Sequence, residues 1–142
     1  MSFAQMPELK DVVDLVVKAF PEKLQHIESN RLLYASFSRK TSRVKGRICP
    51  ISPRYEIFLG EAVYILEVHL ESWEKMSEGI RLYVILHELL HIPEMGFQDG
   101  SKQYKHTIRH NVEDFRDLIK EYGVDMENVE KLAKQVNEVV KK

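Results

Sequence analysis

His87, Glu88 and His91 stand as His-Glu-x-x-His inside Leu82-Tyr83-Val84-Ile85-Leu86-His87-Glu88-Leu89-Leu90-His91-Ile92-Pro93. Residues four apart on a helix lie above one another on one face, so the two imidazoles can share one ion. Glu88, one position from His87, can reach a ligand of that ion but is poorly aimed to coordinate it. This division of labour suits hydrolysis by a zinc-activated water with a carboxylate as its base. A bare match of this kind arises by chance in roughly three chains of such composition per hundred. The setting argues against chance, because an ionised glutamate in an apolar helix is costly unless it serves a polar site. The bland alternative is a pair of satisfied core histidines and a glutamate that reaches the surface.

The element that must position these groups reads as a buried helix, apolar on every side, too short to span a bilayer and stopped by Pro93. Ser77 is its expected cap, with Glu78 in the first turn, where negative charge is favoured. The central motif therefore spans residues 77–92. Ahead of it, Glu71 to Met76 is expected to form a short helical turn that inserts Trp73 into the core.

At 142 residues the chain has the size of one domain, taken as residues 1–142. Its 44% apolar and 30% charged content describes an ordinary soluble protein, and its net charge of −1 argues against global attraction to nucleic acid or an anionic membrane. No signal-peptide core and no transmembrane run are visible. The single cysteine, Cys49, excludes an internal disulfide and suits a reducing, cytoplasmic setting. A small buried hydrophobe is the expected role for Cys49, against the sharper alternative of a catalytic thiol.

Periodicity supplies the rest of the frame. Pro7 to Phe20 carries Leu9, Val12, Val13, Val16 and Phe20 at helical spacing. His26, in the connection that follows, has no partner at ligand spacing and reads as a surface residue. Strands are expected at Arg31–Phe37, Arg43–Cys49 and Ala62–Val68, the last being the most strand-like by its β-branched and aromatic content. His69, at the end of that strand, reads as structural. Between the first two strands, Arg39, Lys40, Arg43, Lys45 and Arg47 fall within nine positions that hold no acidic residue. A solvated hairpin connection with cations blunting an exposed edge is the preferred reading, and a phosphate-contacting run the alternative. Residues 50–60 form an irregular loop or a short helix. After a glycine-containing loop, helices are expected at 106–122 and 125–140, the second with Val129, Leu132 and Val136 on its apolar face.

A catalytic zinc normally takes three protein ligands and leaves a fourth position open. His106 and His110 are the downstream candidates for the third. Glu113 and Asp114 lie three and four residues beyond His110, where either could orient its ring, and this favours His110.

His87-Glu88-Leu89-Leu90-His91-Ile92-Pro93, followed by a glycine-containing loop and by His110-Asn111-Val112-Glu113-Asp114-Phe115, resembles the metallopeptidase domain family found in phage and prokaryotic genomes. Asn111 departs from the aspartate usual there, leaving the histidine intact. The resemblance implies a compact α+β zincin of one domain, with a small, mostly antiparallel three-stranded sheet packed on the buried active-site helix and helices flanking it. It also implies Zn2+ held by His87, His91 and His110, Glu88 as general base, and a peptide or protein substrate docked along the Tyr64–Val68 strand. The alternative function is a non-catalytic, zinc-stabilised binding module that contacts nucleic acid through Arg39–Arg47.

Overall fold

The computed structural model describes residues 2–94, 96 and 97. The expected helices at 106–122 and 125–140 lie outside the described residues, as do His106 and His110.

Helix α1 (Leu9–Ala19) buries Leu9, Val13, Val16 and Ala19, the stripe that a 3.6-residue period lays on one face. It starts two residues after Pro7 and stops at Phe20, where a second, short helix, α2 (Pro21–Leu24), begins with proline at its first position. Strand β1 (Ser2–Gln5) precedes α1 and was not expected. All four of its residues are exposed, so it has no apolar alternation to betray it. What makes it a strand is its antiparallel pairing with β2 (Leu32–Ser38), Ser2 opposite Ser38 and Gln5 opposite Ala35.

The remaining strands are β3 (Gly46–Pro50) and β4 (Tyr64–His69). Together they make a four-stranded mixed sheet in the order β1-β2-β4-β3, one strand more than the three expected. β4 runs parallel to β2 and antiparallel to β3. Two expectations change as a result. The basic stretch between β2 and β3 is not a hairpin, because β4 lies between the two strands it joins. Likewise β4 is paired on both sides and offers no docking edge, whereas β3 is an edge strand among the described residues.

Between β3 and β4 the chain makes a 3-10 turn (Pro53–Tyr55) and a four-residue helix, α3 (Glu56–Leu59), so both readings of that region hold. After β4 come α4 (Leu70–Lys75), which buries Trp73, and α5 (Glu78–Leu89). Ser77 caps α5 as expected: its side chain accepts a hydrogen bond from the Ile80 amide. One continuous core joins Leu9, Val13 and Val16 of α1, Leu66 and Val68 of β4, and Leu82, Ile85, Leu86 and Leu89 of α5. No helix among the described residues is long and apolar enough to cross a membrane.

Candidate metal centre

Helix α5 is not buried on every side. Leu82, Ile85, Leu86 and Leu89 face the core, while Tyr83, Val84 and His87 are half-buried on the other flank, as is His91 just past the helix end. The α-helical hydrogen-bond pattern ends with the Leu90 amide on the Leu86 carbonyl. Beyond it the turn tightens: the His91 amide donates to the Glu88 carbonyl at 3.0 Å, and the Ile92 amide to that of Leu89 at 3.1 Å. His91 therefore sits on a 3-10 turn, whereas the sequence pattern carries the α-helix on to residue 92.

Even so, the histidines meet. The rings of His87 and His91 have centroids 5.3 Å apart and planes inclined at 68°. One ligand atom from each of His87, Glu88 and His91 lies within 4.8 Å of the others. Two imidazole nitrogens this close are donors that suit a first-row divalent ion such as zinc, and the Glu88 carboxylate oxygen stands within reach of a group bound there. Glu88 is 9% exposed, and burial pushes its carboxyl up to about 7 from an ordinary 4.5. A carboxylate poised near neutrality can both take and return a proton there.

Gly46, the first residue of the edge strand, lies beside the Glu88 side chain. A Cβ placed on Gly46 would stand 3.1 Å from Cγ1 of Val84 and 3.3 Å from Cγ of Glu88. The absent side chain lets β3 lie directly over the helix that carries the site, which is the usual reason for a glycine inside a strand.

The sequence model of the family described as "Putative phage metallopeptidase" matches residues 1–137. The chain belongs to this family. No curated protein and no solved structure matches it. The match extends well beyond the His-Glu-x-x-His segment, and it takes in the described fold as well as the segment that holds His106 and His110.

Two side chains that the sequence did not place near the site prove to hold the chain that follows its helix. His26 is half-buried rather than a surface residue, and its Nε2 lies 2.9 Å from the carbonyl oxygen of Ile92, to which the ring N–H donates. That carbonyl lies three residues past the end of α5, so His26 fixes the chain just beyond the helix. Arg31 donates through Nε to the Glu61 carbonyl at 3.1 Å and through Nη1 to the carbonyl of Phe97, over whose ring the guanidinium lies at 5.9 Å. Phe97 in turn packs edge-on against Tyr64. Gly96 fits beneath the Tyr64 hydroxyl, where a Cβ would come within 2.5 Å of the oxygen. A lone histidine and a lone arginine that act on carbonyls more than sixty residues away leave no local signal in a sequence; Gly46 did leave one, as a glycine inside a strand pattern.

His69 and Cys49 stay outside the site. His69 is buried, caps α4 through Nδ1, which accepts from the Ser72 amide at 3.3 Å, and donates through Nε2 to the Arg39 carbonyl at 2.8 Å. Cys49 is half-buried rather than buried. Burial first, then the Glu67 charge, raises its thiol pKa against the opposing pull of Arg47, which leaves it a poor nucleophile.

Proposed function

We propose that this protein is a zinc-dependent metallopeptidase that cleaves peptide bonds in a polypeptide substrate. The observation that carries the proposal is the convergence of the His87, Glu88 and His91 ligand atoms within 4.8 Å, in a chain whose family is described as a metallopeptidase. His87 and His91 would hold the ion, and His110, on the sequence argument, would complete the set. When bound, zinc supplies a Lewis acid that acidifies water and polarises a carbonyl.

The chain's own groups then have distinct tasks. Glu88, with its carboxyl pushed by burial toward neutrality, takes a proton from the attacking water and returns it to the leaving amine. The half-buried imidazoles face away from the core and leave the reacting side of the helix accessible. β3 offers the backbone edge beside Glu88 on which an extended segment can pair, the mode by which exposed sheet edges take up peptides. Gly46 keeps that edge against the base with nothing in between. A free cysteine whose thiol is held protonated accords with a reducing, cytoplasmic setting.

Two measurements test this together. Elemental analysis of protein purified without chelators should give about one zinc per chain. Glu88→Gln should retain that metal and lose peptide cleavage, because the amide cannot accept the proton. Cleavage undiminished in Glu88→Gln would remove the base from the mechanism, and a metal-free protein that does not take up zinc would remove the peptidase reading.

A further inference from the structure

The basic stretch between β2 and β3 is a fixed display of charge on the chain that leads into Gly46, beside Glu88. His69 ties down both of its ends: the ring holds the Arg39 carbonyl at 2.8 Å, and the backbone amide donates to the Lys45 carbonyl at 2.9 Å. Within it, Lys45 Nζ donates to the Ser42 carbonyl and to Ser72 Oγ, each at 3.0 Å, and the Val44 amide donates to Ser42 Oγ at 3.1 Å. Arg47, just beyond, is held by Glu67 at 2.5 Å and lies over the Phe37 ring. Two of the five cations are thus occupied in building the loop and its anchor. The other three, Arg39, Lys40 and Arg43, are exposed, and no acidic group among the described residues pairs with their side chains.

The loop leads straight into Gly46, where a Cβ would stand 3.3 Å from Cγ of Glu88. A segment paired on the β3 edge beside Glu88 must therefore continue past the loop at one end. Antiparallel pairing is the more stable per residue. A segment running opposite to the Gly46-to-Pro50 direction meets the loop with its C-terminal part. Arg43 lies three residues before Gly46, about 10 Å of extended chain at most, which puts its charge within reach of the first few residues after the cleaved bond.

We propose that the substrate is a polypeptide with acidic residues immediately C-terminal to the scissile bond, received by Arg39, Lys40 and Arg43. The proposal deepens the peptidase reading and rests on it for the location of the cleaved bond. An extended acidic peptide is favoured over nucleic acid because the cations stand at the end of a strand edge that pairs with backbone, and Phe37, two residues before Arg39, is buried beneath Arg47 and offers no face for a base to stack on.

The experiment uses the full-length Glu88→Gln protein with zinc, so that binding is read without turnover, and two fluorescent peptides that share one apolar centre and carry a run of glutamates either after it or before it. Fluorescence anisotropy should show the peptide with glutamates after the centre binding about tenfold more tightly, since each exposed charge contact contributes roughly two- to fivefold. Added salt should erode that advantage. Arg43→Glu should abolish or reverse it, and Lys40→Glu, at a second exposed position, should move it in the same direction. Wild-type cleavage of the same peptides should follow the same order. Equal binding of the two peptides, preference for glutamates before the centre, or a DNA oligonucleotide that binds more tightly than either peptide in an Arg43-dependent way would overturn the proposal. The two readings fail differently: charge-dependent binding with no cleavage by wild type sinks the peptidase and spares the docking surface, whereas cleavage indifferent to charge sinks the docking surface alone.

Discussion

In the metal-free protein Glu88 should oppose folding, and by an amount that depends on pH. Burial raises its carboxyl from 4.5 to about 7 in the folded chain. The unfolded chain releases this proton near 4.5 and the folded chain holds it to about 7, so between those values the folded state binds more protons. Stability therefore falls as pH rises through that window. At about 1.4 kcal/mol per pH unit, the gap corresponds to a loss of about 3 kcal/mol, complete above neutrality and absent below about pH 4. Glutamine has nearly the same shape and cannot ionise. Metal-free wild type and Glu88→Gln should consequently have similar stabilities at about pH 4 and diverge to about 3 kcal/mol at about pH 8, with the glutamine variant the more stable. Denaturant titrations in the presence of a chelator, repeated across this range, measure the difference directly. Comparing the two proteins at each pH cancels titrating groups remote from residue 88 to first order. Parallel stability curves without a growing gap would refute the argument that burial dominates this carboxyl. A cation bound beside Glu88 favours its charged form, so saturating zinc should narrow the gap.

Substitutions at three positions probe the surroundings of the site. Gly46→Ala puts a methyl 3.1 to 3.3 Å from Val84 and Glu88; it should leave global stability within about 1 kcal/mol, since reduced unfolded-chain freedom offsets the crowding, yet cut cleavage about tenfold by displacing the base, a distance effect of the size expected for misplaced catalytic groups. Denaturant melts beside cleavage rates separate the two effects. Gly96→Ala meets the Tyr64 hydroxyl at 2.5 Å and the Pro93 carbonyl at 3.1 Å and should cost about 1–3 kcal/mol in a thermal or denaturant melt, as overpacking generally does. His26→Ala frees the Ile92 carbonyl, one residue after His91, and should weaken zinc about tenfold in a chelator competition, the lower end of what groups supporting metal ligands contribute; His26→Gln, which can still donate, should recover part of that loss.

The described fold was legible wherever a side chain's burial leaves a period in the sequence. Leu9, Val13 and Val16 announce α1, the run from Tyr64 to Val68 announces β4, and the Ser77 cap sets the start of α5 to the residue. Glu88 was legible for the opposite reason, being a charge where the period demands an apolar residue. What stayed hidden depends on backbone. β1 is held by ladder hydrogen bonds alone, and its exposed residues carry no pattern. The insertion of β4 between β2 and β3 is a choice of partners that no strand's own composition records, and it moves the exposed edge from β4 to β3. His26 and Arg31 act on carbonyls, which every residue possesses, so nothing in the sequence of the acceptor marks it as a target. The same division explains how the site is held. A buried carboxylate that weakens the metal-free fold needs its helix fixed from outside, and the turn from Ile92 to Phe97 is where the N-terminal half of the chain supplies that hold, through His26, Arg31 and the ring of Tyr64. A sequence can therefore advertise the reacting groups on α5 while remaining silent about the contacts that keep them in place.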